Sequence, residues 1–420
     1  MALSQHPFIE AFFGKVLTQP IEAVILNFEI KKRNEKPIKM TKYEWIKAVL
    51  NGTRDVPVPQ HWMSFFNGDL ARRLTPPECH YSPMWIYDVP DHYDMSPMGA
   101  EALDRMIAFN NQTGRCFACL GKGANICFGH GGPGEFFSRL LYKNEDELVV
   151  EYETGVRAKV QFHPHFYYHF DHPIKSMDDL KAFELPDPND PRRYAGFAED
   201  VRYLKSKGEY VVASLNGFFS GLHYFLRAYT DTLMGLITEP DFTHAMLDML
   251  GEWNLAAAWK MVEAGADCIT LCDDLGSKQA MLMSPPIYRK FFKPWHKKLC
   301  ETVHELGADV HLHSHGAIGK ILDDLVECGF DFINPFDPEE KHDIDHLMAN
   351  YSQHFIIVGG FPASFWEWKA DEQETYLEKL GRLGKEYGRL IFMDSGGIPE
   401  NVTREDFDRV NEISRRVRGA

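Results

Sequence analysis

The stretch Asp309–Leu325, DVHLHSHGAIGKILDDL, sets histidines at 311, 313 and 315 and follows them with a glycine and a helical apolar pattern. Side chains two apart in a strand face the same side, so His313 and His315 can serve one centre. Imidazole is an acid or base near neutral pH and a good zinc ligand. The plainer role is a hydrogen bond to a substrate carboxylate, or a polar residue where a strand ends. His311, two positions earlier, lies deeper and reads as a core or supporting residue.

These histidines do not stand alone. Short β-rich runs occur at Tyr210–Leu215, Asp267–Leu271, Asp309–His313, Asp331–Asn334, Phe355–Val358 and Leu390–Met393, with helical patterns between them. Strands alternating with helices imply parallel βαβ units. VPVPQHW and one strand near PMWIYDV or ANICFGH would complete eight. The expected fold is therefore α/β, a (β/α)8 TIM barrel. Polar residues follow the strands: Asn216, Asp273 and Asp274, His313 and His315, Asn334, and Asp394. The C-terminal ends of barrel strands form the active-site face, so Asp273, Asp274, His313, His315 and Asp394 are the catalytic candidates. Asn216 and Asn334, with Phe218 and Trp366 as apolar walls, are the substrate-binding candidates.

Residues 1–50 read as an N-terminal helical extension, and 51–420 as the barrel. Residues from about 100 to 205 break the repeat and read as an inserted helix and β-hairpin region, turning at Glu153-Thr154-Gly155. That insertion carries His163, His165, His169 and His172, which read either as lining for the mouth of the site or as ordinary hairpin residues. Cys116 and Cys119 form a lone CxxC without the second pair that a zinc knuckle needs. GHGGPGE lacks the ending and context of a P-loop.

Composition narrows the partners. The chain has 420 residues, 44% hydrophobic, with a formal net charge of −16. That charge disfavours nucleic acid and anionic membranes, which need basic surface. No window approaches a membrane span, the first residues lack a signal-peptide layout, and the scattered cysteines suggest no disulfide framework. A cytoplasmic protein is expected.

From about Lys42 onward the chain resembles the uroporphyrinogen decarboxylase superfamily. NGTRDVPV resembles the entry to the first barrel strand. EAGADCITLCDDLGSKQAMLMSPPIYRKFFKPWHKKL resembles the fourth strand with its acidic end and the following helix. HSHGAIGKILDDLVECGFDFINPFDP, IIVGGFP and MDSGGIPENVTRED resemble the later units. The resemblance implies a (β/α)8 barrel and one of two chemistries. One branch decarboxylates a porphyrinogen without a cofactor. The other moves methyl groups to or from cobalamin bound on a partner protein, and many of its members hold zinc by a His-x-Cys pair and a further cysteine.

The sequence departs from both patterns. No arginine lies at the end of the first strand, where the decarboxylases bind their polyanion; Arg72 and Arg73 come later. His313-Ser314-His315 occupies the His-x-Cys position, and Asp394-Ser395-Gly396-Gly397 replaces the second cysteine. The resemblance thus implies a corrinoid-dependent methyltransferase in which His313 and His315, with a carboxylate, would be the ligands of a harder, oxygen-preferring zinc site. The expected activity is demethylation of a small methylated, especially methoxylated, donor. With no Asp-x-His-x-x-Gly pattern in the chain, cobalamin is expected to arrive on a corrinoid partner protein. A homodimer is compatible with the resemblance. The alternatives are a cofactor-free carboxy-lyase and a non-catalytic corrinoid-binding barrel.

Overall fold

The computed structural model describes residues 40–62, 68–80, 97–120, 138–161 and 166–420, and Lys42–Ala420 form one compact unit. His163, His165, the glycine-rich GHGGPGE turn and the candidate strands at PMWIYDV and ANICFGH lie outside the described residues.

Seven parallel strands make the central sheet: β1 (Phe117–Leu120), β6 (Tyr210–Asn216), β7 (Cys268–Cys272), β8 (Asp309–His313), β9 (Phe332–Phe336), β10 (Ile356–Gly360) and β11 (Leu390–Met393), adjacent in that order. All six runs expected from β-rich patterning are strands. The seventh, β1, falls on RCFACL, a short apolar run that follows a helix ending at Thr113. Helices connect the parallel strands, as parallel pairing requires. Examples are α2 (Pro240–Glu263) before β7 and α3 (Lys293–Glu305) before β8.

Alternation sorts each strand between two environments. Val211, Ala213 and Leu215 of β6 and Val310 and Leu312 of β8 pack into the large cluster under the helices. Tyr210, Val212, Cys268, Phe332, Ile356, Val358, Ile391 and Met393 form a second cluster on the inner face. Helix α1 (Lys42–Leu50) adds Ile46 and Val49 to that inner cluster. The sheet is strongly curled. Phe117 of β1 and Phe332 of β9 are four strands apart, about 19 Å in a flat sheet, yet their rings lie 5.8 Å apart. At the far edge, Gln60 makes a parallel bridge to Phe392 of β11, while its carbonyl accepts from the Cys116 N–H just before β1.

A separate antiparallel sheet, β2 (Ser138–Lys143) to β5 (Phe166–Phe170) in sequence order, includes a hairpin between β3 (Glu147–Tyr152) and β4 (Arg157–Gln161) at the expected turn. Among the described residues no helix is long and apolar enough to cross a membrane.

Candidate active site at the strand ends

Asn216, Cys272, His313 and Asn334 are register partners across β6, β7, β8 and β9. One row therefore crosses the C-terminal ends of four adjacent strands, where ligands bind in parallel α/β sheets. The loops beyond this row are held by close backbone approach. The Gly276 N–H donates to the His315 carbonyl, and the Ala317 N–H to the Ser277 carbonyl. Gly316 has φ +93°, and a Cβ there would lie 2.1 Å from the Gly276 carbonyl carbon. The glycine after His315 thus lets the two loops touch.

His313 and His315 are brought together, with ring centroids 5.0 Å apart and planes at 84°. Their surroundings differ. His313 Nδ1 lies 3.1 Å from the Asn334 amide nitrogen, and its Nε2 is 3.9 Å from Asp274 Oδ1. Burial and then the neighbouring His315 push its pKa down to about 4. His315 Nδ1 lies 3.2 Å from Glu340 Oε1, while the other Glu340 oxygen accepts from the Gly316 N–H at 2.9 Å. Burial lowers the His315 pKa, but the Glu340 hydrogen bond and the charges of Asp274, Glu340 and Asp337 outweigh it, and the net shift is upward. Glu340 shifts downward: burial opposes its ionisation, and the His315 and Gly316 hydrogen bonds overcome that. One imidazole is biased toward its neutral form and its neighbour toward its protonated form, an arrangement that separates acid from base roles.

The two adjacent aspartates also part company. Asp274 is partly exposed and accepts from the His315 backbone N–H at 2.8 Å. Asp273 is fully buried. Its oxygens accept from the Phe218 and Ser220 N–H groups at 3.2 and 2.9 Å, and from His296 Nε2 at 2.9 Å. His296 Nδ1 in turn takes the Tyr288 hydroxyl at 2.9 Å. A Cβ on Gly217 would fall 2.1 Å from the Asp273 Cβ. Asp273 therefore ties the end of β7 to the turn after β6 instead of presenting an oxygen to substrate.

The remaining expected residues are dispersed. Phe218 is completely buried against Trp295 and His296, so it offers no wall to a ligand. Asn216 is buried, with its carbonyl accepting from Asn254. Asn334 is buried between His313 and His311. Asp394 is buried just past β11; the next residue, Ser395, donates to Asp337 Oδ2 at 2.5 Å. Trp366 packs on Trp62, with ring centroids 5.5 Å apart. His169 and His172 of the inserted region line a cavity of about 680 Å³ together with His223, Tyr224 and Tyr229. His223 senses the charges of Asp273 and Asp274, which places that cavity beside the strand ends.

Sequence reasoning missed Glu340. Its only signal was the acidic DPEE run after β9, which resembles any solvated turn. The zinc expectation also changes. Two imidazoles and carboxylates are suitable donor types. Among the described residues, however, no three His, Cys, Asp or Glu groups converge at ligand spacing. His315 Nδ1 is engaged by Glu340 and His313 Nδ1 by Asn334, which leaves each Nε2 as the ring nitrogen a metal would take.

Residues 146–414 match the family model described as uroporphyrinogen decarboxylase (URO-D). The chain belongs to the uroporphyrinogen decarboxylase family. Within it, the chain is 28% identical over 218 residues to methylcobamide:CoM methyltransferase MtbA of Methanosarcina mazei, covering 50% of this chain and 60% of that protein. It is 36% identical over 135 residues to methylcobamide:CoM methyltransferase MtaA of Methanosarcina barkeri, covering 30% and 38%. It is 27% identical over 138 residues to uroporphyrinogen decarboxylase of Aeromonas salmonicida, covering 31% and 38%. The chain thus spans about three fifths or less of these relatives' lengths. A methyltransferase structure from Methanosarcina mazei superposes with a TM-score of 0.61 at 17% identity, covering 90% of this chain and 99% of that one. The two share a fold.

Proposed function

We propose that this family member is a methyltransferase of a corrinoid-dependent system that demethylates a small methoxylated substrate. We also read its sheet as a closed (β/α)8 barrel, with Pro59–His61 as the eighth stave. Gln60, bonded to β11 on one side and to Cys116 on the other, supports that closure. The observation that carries the functional reading is the His313–His315 pair, with rings 5.0 Å apart and opposite protonation preferences.

An alkyl or aryl ether is a poor methyl donor because its leaving oxygen is basic. Protonating that oxygen as the C–O bond breaks removes the obstacle and is worth roughly 10²–10⁴-fold. His315 is the proton donor in this reading. Glu340 holds its Nδ1–H, keeps the ring cationic, and leaves Nε2–H for the ether oxygen. His313, neutral, accepts a hydrogen bond from substrate or orients it, and Asp274 fixes the loop that carries His315. A corrinoid on a partner protein supplies the metal centre that takes the methyl group. The products are the free hydroxyl compound and the methylated corrinoid partner. Zinc, when bound, would be held by His313 and His315 with a nearby carboxylate; the proton chemistry above stands on the residues as they lie. Asp273 and Phe218 act as positioning residues. The names of the methyltransferase relatives support the corrinoid half of the reading.

The test uses the full chain with reduced free cobalamin and a panel of methoxylated compounds, followed by the absorbance change of methyl transfer to cobalt. Turnover with at least one donor, lost in H315Q, is expected. Absence of any spectral change, with carbon dioxide released from a carboxylated substrate instead, would establish the cofactor-free carboxy-lyase.

A further inference from the structure

Arg115 lies two residues before the start of β1, in phase with the inner-face residue Phe117, and is 8% exposed. Its Nη2 lies 3.1 Å from His61 Nε2, and its Nε–H has no hydrogen-bond partner. Among the described residues no carboxylate lies within ion-pair distance of it. A buried guanidinium without an anion is strongly unfavourable. Nor can His61 supply the missing charge. Both of its ring nitrogens face donors: Arg115 at Nε2, and the Phe117 N–H at 3.3 Å from Nδ1. A neutral imidazole accepts at only one nitrogen, so one His61 N–H is left facing another donor. The cluster holds more hydrogen-bond donors than acceptors, and it holds a net positive charge.

Cys119 Sγ lies 3.9 Å from His61 Nε2. Its side chain is exposed, and the surrounding protein raises its thiol pKa more than Arg115 lowers it. Toward His313 the Phe117 ring lies 4.9 Å from His61 and 6.0 Å from His311. Beyond it, Asn334 stands beside both His311 and His313.

The geometry points to Arg115, His61 and Cys119 as a receptor for the carboxylate of a small organic anion, the methyl donor itself. A guanidinium matches a carboxylate in shape and charge. This rests on the functional reading above for its link to methyl transfer, but its test is binding, so the two can fail separately.

The probes are benzoate and its uncharged counterpart benzamide, applied to the full chain. Alkylation of Cys119 by iodoacetamide is followed by peptide mass analysis, and binding by calorimetry. Benzoate is expected to slow Cys119 alkylation at least fivefold while benzamide does not. R115Q should weaken benzoate at least tenfold, and R115K should restore part of it. Equal protection by both probes, protection by neither, or unchanged benzoate affinity in R115Q overturns the proposal. The alkylation test needs no variant and stands if R115Q fails to fold. Benzoate captured through Arg115 by a chain that transfers no methyl group would leave the receptor standing and remove the methyltransferase reading.

Discussion

Glu340→Gln isolates the device that keeps His315 charged. The pair is 3.2 Å apart, with side chains 33% and 14% exposed. A charge-assisted hydrogen bond contributes about 1.5–3 kcal/mol; screening at a site one-third exposed reduces this to about 1 kcal/mol. His315 should therefore titrate lower in E340Q, where burial acts against its charge without the Glu340 hydrogen bond to oppose it. His315 is raised in the folded state, so its contribution is complete below its unfolded pKa of about 6.5. That contribution disappears as pH rises through the raised value. Glu340 is lowered, so its contribution is present above its unfolded value of about 4.3 and vanishes as pH falls through the lowered one. The wild-type advantage over E340Q should therefore peak between about pH 4.3 and 6.5 and shrink above the His315 pKa. The Gly316 N–H contact adds an offset that varies much less over the upper part of that range. Urea unfolding at pH 5.5 and pH 9 measures the difference, and an imidazole NMR titration, assigned with H315Q, reads the pKa directly. Equal destabilisation at both pH values, or an unmoved His315 titration, would refute the pairing.

Three further outcomes follow from the site. H315Q should lower kcat for methyl transfer by roughly 10²–10⁴-fold with little change in thermal midpoint, whereas H313Q should raise KM as well; steady-state kinetics separates the two. G316A combines a φ of +93° with a Cβ 2.1 Å from Gly276, and should destabilise by about 2–4 kcal/mol in urea unfolding. D273N places an amide among the Phe218, Ser220 and His296 donors. It should cost about 2–5 kcal/mol of stability, and any activity loss should track the folded fraction measured by circular dichroism.

Local sequence was enough for six of the seven parallel strands, but not for β1. β6 to β11 announce themselves because each is a short apolar run between helical patterns, and periodicity is a local property. The polar residues at their ends were legible for the same reason, and so was the placement of His313 with His315 on one side of a strand. What each polar group does was not legible. Asp273 and Asp274 are adjacent and identical in type. One is consumed by the backbone after β6 and the other faces the His315 loop, because the chain turns between them. Phe218 reads as a pocket wall in sequence and is core in space. Glu340, Arg115 and His61 carry no motif. Glu340 meets His315 across 25 residues, and Arg115 meets His61 across 54. Such pairings depend on strand register and sheet curl, which are set by packing of the whole domain. The sequence by itself determined an alternating α/β chain with a histidine pair at a strand end. Only the tertiary structure decided which neighbour keeps one histidine charged and the other neutral, because burial and charge proximity are properties of the folded surroundings.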